Sequence, residues 1–291
     1  MPQDPPPPPR FGNAAPKRLM PLLCVYSGNL AKVPYFQLGD IASQLGFDGV
    51  DLTVMIGGHV DPRITNVDLV RAFEAVRGSG LEVPMIATNI FGPQDSTAFP
   101  VLYLTGRSQV PLYRLGYWQY GNTVPIEQRL VQVRQDLVQL LPLAQRSTIT
   151  AMVHNRAGGF VGQSIWDTQT VISTIDNRWV GYCYDPAEAM IEGGLGWEAG
   201  LRLALPRLKA LVLQDFYWAK TDAGWTMTKC PLGEGMVNWE KFFAIVAESG
   251  FTGPISIRQD YVVPDALGAL TRDLEFARRH VQRAWTPKAP R

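Results

Sequence analysis

Short apolar runs that end abruptly in a polar residue recur along the chain, and each is followed by a segment whose apolar positions fall three and four apart. The clearest is Val180-Gly-Tyr-Cys-Tyr-Asp185, an apolar run closed by a carboxylate and then by Pro186. In a parallel strand buried on both faces, this pattern sets Asp185 at the strand's C-terminal end, where it faces a mouth lined by loops or caps the next helix. Strands are expected over 22–27, 49–54, 83–89, 111–116, 148–154, 180–185, 210–215 and 255–259. Helices are expected over 35–45, 66–77, 126–145, 168–175, 201–208, 239–249 and 267–285. Residues 91–122 form a long aromatic-rich connection around the fourth strand, and 216–237 read as an irregular loop. Eight strand–helix units are the number that closes a barrel, so the predicted fold class is α/β, a single-domain (β/α)8 TIM barrel. The competing open doubly wound sheet needs Gly-x-Gly-x-x-Gly after its first strand. Here that position reads Ser27-Gly-Asn-Leu30, so no nucleotide cofactor is expected.

Composition narrows the partners. A net charge of +1 gives no electrostatic reason to expect nucleic acid, and no apolar run reaches the roughly 18 residues that would cross a bilayer. Cys24, Cys183 and Cys230 lack any metal-ligand spacing and read as small apolar fillers. Pro5 to Pro9 are an unbroken proline run, so 1–18 is expected to be a disordered leader ahead of a barrel domain over 19–291. The leader has no apolar signal core. That leaves two compartments open, the cytoplasm, or the periplasm or exterior if a signal has been removed.

Polar residues at the ends of several barrel strands are the arrangement expected of an active face. His154 ends the fifth strand and opens Asn155-Arg-Ala-Gly-Gly159, and it suits an acid, a base or a metal ligand. Asp185, Asp215 and Asp260 add carboxylates around the same rim. His154, Asp185 and Asp260 are candidate ligands for a divalent cation, Mn, Mg or Zn, and equally candidate acid–base groups, with Glu234 of Pro231-Leu-Gly-Glu-Gly235 beside them. Arg156 and Arg258 suit an anionic substrate group. His59, preceded by Gly57 and Gly58 in the loop after the second strand, Asn155 and Asp215 are candidate substrate contacts. Trp118 and Trp218, among the aromatics clustered after strand ends, offer flat faces to sugar rings.

These residues resemble the sugar phosphate isomerase/epimerase family, the xylose isomerase-like TIM barrels. The matching pieces are Gly46-Phe-Asp-Gly-Val-Asp51, His154-Asn155 of a His-Asn-His type motif and Asp185 of an Asp-x-x-His type motif. Gln214-Asp215-Phe216 stands for a Lys-Asp-Phe motif, followed by Pro231-Leu-Gly-Glu-Gly235 and the stretch from Ile255 to Tyr261. The resemblance implies a divalent metal held by Glu, Asp, His and Glu, and proton transfer next to a sugar carbonyl. Only Asp185 carries over cleanly. The strand-seven histidine position is Val212, the last glutamate position is Arg258, and the histidine of Asp-x-x-His is Glu188. The implied metal site is therefore degenerate, either empty or rebuilt from His154, Asp185 and Asp260. Three functions follow, a sugar isomerase or epimerase, a lyase or hydrolase of oxidised (keto) glycosides, and a catalytically silent carbohydrate-binding or partner subunit. The expected partner is a small carbohydrate, with no nucleic acid or membrane, and homo-oligomers are allowed.

Overall fold

In the computed structural model, which describes residues 19–222 and 224–286, eight parallel strands close into a barrel. In chain order the elements are β1 (Leu23–Tyr26), α1 (Leu38–Gln44), β2 (Gly49–Val54), α2 (Thr65–Gly78), β3 (Glu82–Thr88), α3 (Ala98–Arg107), β4 (Leu112–Arg114), α4 (Ile126–Ser147), β5 (Thr150–His154), α5 (Ile165–Ile172), β6 (Val180–Tyr184), α6 (Pro186–Gly193), α7 (Trp197–Ala204), β7 (Leu208–Leu213), β8 (Asp215–Thr221), β9 (Gly224–Cys230), α8 (Trp239–Glu248), β10 (Ile255–Ile257) and α9 (Ala266–Trp285). Around the barrel the order is β1-β10-β7-β6-β5-β4-β3-β2. The expected leader and the last residues of the expected barrel domain lie outside the described residues.

Period-two alternation divides the core in two. Outward-facing strand residues such as Val50, Leu52, Val153, Tyr182, Tyr184 and Leu211 pack against the helices. Inward-facing Met85, Met152, Cys183, Ala210 and Val212 fill the barrel itself. The three cysteines are buried and form no disulfide, and burial pushes the Cys183 thiol up to about 12, so it packs as an apolar group.

Three sequence expectations need correction. The stretch read as an irregular loop over 216–237 contains an antiparallel hairpin, β8–β9, with Trp218 opposite Met227 and Lys220 opposite Trp225. The aromatic-rich connection contains α3, whose Pro100 and Gly106 weaken the helical signal; Val101, Leu102 and Thr105 are buried while Phe99 and Tyr103 stack on its exposed side. The helix expected over 201–208 begins and ends earlier, as α7, because Pro206 follows it and Leu208 already belongs to β7.

Candidate active site

Inward positions one step above the apolar floor are polar. On β5, Met152 lies on the floor and His154 above it; Cys183 is followed by Asp185, Val212 by Gln214, and Ser256 by Arg258. Asp51 of β2 and Arg114 of β4 are buried in the same layer. Ser256 Oγ donates to Asp51 Oδ2 at 2.8 Å, and Arg114 Nη1 stands 3.9 Å from that oxygen. Two guanidinium groups, those of Arg114 and Arg258, lie 5.2 and 5.0 Å from the centre of the Tyr26 ring.

His154 pairs through Nδ1 with the Tyr117 hydroxyl at 2.5 Å, and its Nε2 lies 3.8 Å from Asp185 Oδ2. Asp185 has two jobs. Its Oδ1 caps α6 by accepting the Ala187 and Glu188 amides at 2.9 and 3.2 Å, and its Oδ2 accepts from Gln214 Nε2 at 2.5 Å. Glu188 joins Lys229 of the hairpin at 2.7 Å, and Arg258 Nε donates to Asp260 Oδ1 at 3.0 Å. Arg156 places its guanidinium 4.8 and 4.7 Å from the Tyr117 and Phe160 ring centres. Four buried atoms of this layer, Asp51 Oδ1, Arg114 Nη1, His154 Nε2 and Gln214 Oε1, have no hydrogen-bond partner. Buried polar atoms are seldom left so in a fold that needs them only for packing.

Burial, reinforced by Arg114 and Arg258, holds His154 well below the usual imidazole range, so it is neutral at ordinary pH. Burial raises Asp51 against the pull of Arg114, and raises Asp185 against the pull of Lys229. For Arg114, burial lowers the pKa, but Asp51 together with Tyr117, Cys183 and Tyr26 more than offsets it, so the guanidinium stays charged.

Several residues singled out from the sequence have their polar atoms committed to the fold. Asp215 is one residue out of phase with inward-facing Gln214, so it points away from the barrel. Its Oδ1 accepts the Phe216 and Val237 amides, and its Oδ2 the Gly233 and Gly235 amides and the Trp239 indole. A Cβ at Gly235 would collide with this carboxylate, which explains the glycine there. Asn155 spends both ends of its amide on Asp185, accepting from its N–H and donating to its carbonyl, each at 2.8 Å. Trp118 is 2% exposed and packs against Phe91, not a sugar face. His59 bonds Thr53 through Nδ1 and the Leu30 and Val33 carbonyls through Nε2, pinning the loop after β2. In this structure the side chains of Asp215, Asn155, Trp118 and His59, expected to contact substrate, are engaged by the fold.

Glu234 and Asp260 line one cleft of about 650 Å³ with Tyr217, Lys229 and Tyr261, beside the polar layer. Trp218 lies on the hairpin and is 41% exposed. Arg114, Tyr117, Gln214 and Lys229 were not singled out as site residues in the sequence, although inward alternation in Leu112-Tyr-Arg114 was a usable signal for the first.

A divalent cation does not fit these residues. Among the described residues, no group of three or more His, Cys, Asp or Glu side chains is arranged to hold a metal ion. The set His154, Asp185 and Asp260 is not gathered: Asp260 is engaged by Arg258, and Arg114 and Arg258 bring positive charge close enough to depress His154. Of the two outcomes expected, an empty site or one rebuilt from His154, Asp185 and Asp260, the rebuilt set is not assembled among the described residues.

Comparison with solved structures finds the same barrel elsewhere. A xylose isomerase-like TIM barrel protein from Mycobacterium smegmatis in complex with magnesium is 15% identical, with a TM-score of 0.70, and the match covers 92% of this chain and 98% of that one. The 3-keto-D-glucoside 4-epimerase of E. coli is 12% identical at a TM-score of 0.70, covering 89% and 99%. D-Psicose 3-epimerase with D-tagatose, from Clostridium cellulolyticum H10, is 13% identical at 0.70, covering 91% and 100%. At these identities the likeness establishes the fold. No curated protein matched the chain. A family model described as xylose isomerase-like TIM barrel matches residues 104–280, more than half of the sequence. By that match and by its closed eight-stranded barrel, the chain belongs to the xylose isomerase-like TIM barrel family.

Proposed function

We propose that this chain is a sugar-modifying enzyme of the isomerase or epimerase kind, which moves a proton next to the carbonyl of a sugar or keto-sugar. The observation that carries the reading is a neutral histidine, His154, with an unpartnered Nε2 in a layer of fixed cations. With the Nδ1 proton donated to the Tyr117 oxygen, Nε2 keeps its lone pair and acts as general base. The C–H bond next to the carbonyl breaks, its proton passes to Nε2, and its electron pair becomes an enediolate whose oxygen faces Arg114 and Arg258. Return of the proton to the neighbouring carbon, with the hydroxyl proton passing from its oxygen to the enediolate oxygen, isomerises the sugar, and delivery of a proton to the opposite face of the same carbon by a second carrier epimerises it. Asp185, raised by burial, is the second proton carrier. The cleft holding Glu234 and Asp260 is where the sugar docks, with Arg156 and Trp218 at its approaches. No step is routed through a divalent ion. Support for the sugar class comes from the epimerase activities of two structural neighbours.

A second reading, a lyase acting on oxidised glycosides, uses the same first proton removal and then expels an aglycone. The exposed Trp218 and Trp225, which share one face of the hairpin, favour it because they offer apolar faces beyond the cleft. Proton NMR in D₂O with D-fructose, D-allulose and a methyl 3-keto-glucoside tests both. Exchange at the carbon next to the carbonyl is expected, with aglycone release marking the lyase. Binding of all three without exchange would refute both and leave a silent binding subunit.

A further inference from the structure

The cations of this layer are more than a neutral sugar needs. Arg114 is 4% exposed, and its Nη1 makes no hydrogen bond. Its nearest carboxylate oxygen, Asp51 Oδ2, is too far for a hydrogen bond and already accepts from Ser256. Arg258 spends its Nε on Asp260. Both guanidinium groups stand over the one ring of Tyr26. The charge of Arg114 is felt at Arg258; a ring face offsets part of that repulsion, and an anion bound by both guanidinium groups offsets more. The third cation at the mouth, Arg156, rests on Tyr117 and Phe160, and no carboxylate pairs with it among the described residues.

We propose that the substrate is an acid sugar, its carboxylate held by the guanidinium groups of Arg258 and Arg114. The inference rests on the barrel mouth being the substrate site. A planar carboxylate matches the guanidinium fork in two parallel hydrogen bonds. Asp51 and Asp185 lie in this layer and Asp260 already pairs with Arg258, so a single added negative charge is tolerated better than the two of a phosphate.

Isothermal titration of the full chain with D-glucuronate, D-gluconate, D-glucose 6-phosphate and D-glucose, in EDTA and at two salt concentrations, tests this. An acid sugar binds at least about tenfold more tightly than D-glucose and loses affinity as salt rises. Arg258→Gln, at a partly exposed position, reduces that affinity by about tenfold or more, while Arg258→Lys restores part of it. Tighter binding of the phosphate overturns the carboxylate assignment. Equal binding of D-glucose, or an unchanged affinity in folded Arg258→Gln, overturns the anion site itself. Binding of an acid sugar without solvent exchange upholds this inference and removes the isomerase reading. Turnover of D-allulose by a protein that binds D-glucuronate no more tightly than D-glucose does the reverse.

Discussion

Replacing Asp215 separates a structural carboxylate from a catalytic one. Its two oxygens accept five N–H groups between 2.8 and 3.3 Å, four from the backbone of 216–237 and one from the Trp239 indole. Each hydrogen bond to a charged acceptor contributes about 1.5–3 kcal/mol net. The five are not additive, since the longer ones are weak and the loop relaxes. In Asp215→Asn the amide keeps its one oxygen where it serves three donors, at the Oδ2 position. Its NH₂ then faces the Phe216 and Val237 amides, donor against donor. Two unsatisfied amides, one of them able to turn to water, cost about 2–4 kcal/mol, and Asp215→Ala costs about 4–5 kcal/mol. Urea unfolding followed by tryptophan fluorescence reads this directly. With a slope near 3 kcal/mol/M, the asparagine variant's midpoint falls by about 1 M with the slope unchanged. An asparagine variant within about 0.5 kcal/mol of wild type that has nonetheless lost turnover or sugar binding would refute the structural assignment and return Asp215 to the substrate contacts.

His154 is neutral when folded, while the unfolded chain's histidine takes up a proton below about pH 6.5. The unfolded state therefore binds the extra proton, and wild-type stability falls relative to His154→Gln as pH drops below about 6.5, by up to about 1.4 kcal/mol per unit; a difference that does not vary with pH would refute the depressed value. Asp51 and Asp185, raised by burial, act in the opposite sense, which is why the difference between the two proteins is the quantity to measure. Elemental analysis is expected to find well below one equivalent of manganese, magnesium or zinc per chain, with the thermal midpoint unmoved by EDTA; a full equivalent lost in Asp185→Ala would show that a cation organises this layer after all. Trp118→Ala is expected to cost about 3–5 kcal/mol as a core truncation, whereas Trp218→Ala stays within about 0.5 kcal/mol and weakens sugar binding instead. The reverse ranking in thermal unfolding would exchange their roles.

The barrel was legible in the sequence because its signal repeats. Each strand is a buried apolar run of limited length, and an error of a few residues at one end, as at 201–208, leaves the count of eight unchanged. The hairpin was harder to read because its alternation, Phe216-Tyr-Trp-Ala-Lys-Thr221, carries no apolar face of the usual kind: Lys220 and Trp225 face each other on the same side as Trp218 and Met227. The candidate site depended on phase, which is a finer property than the existence of a strand. Gln214 and Asp215 are adjacent, and both are polar residues at the end of an apolar run. One faces the barrel and the other ties down a loop. The same holds for His154 and Asn155. A carboxylate or amide is chemically attractive in either phase, so residue type alone overcounts the site. What decides is whether the position two residues earlier lies on the barrel floor, as Met152, Cys183 and Val212 do. By that criterion Arg114 and Arg258 enter the site on the same terms as His154 and Asp185. The layer then becomes one in which fixed guanidinium groups oppose buried carboxylates, and the chemistry it favours is stabilisation of an oxyanion by arginine.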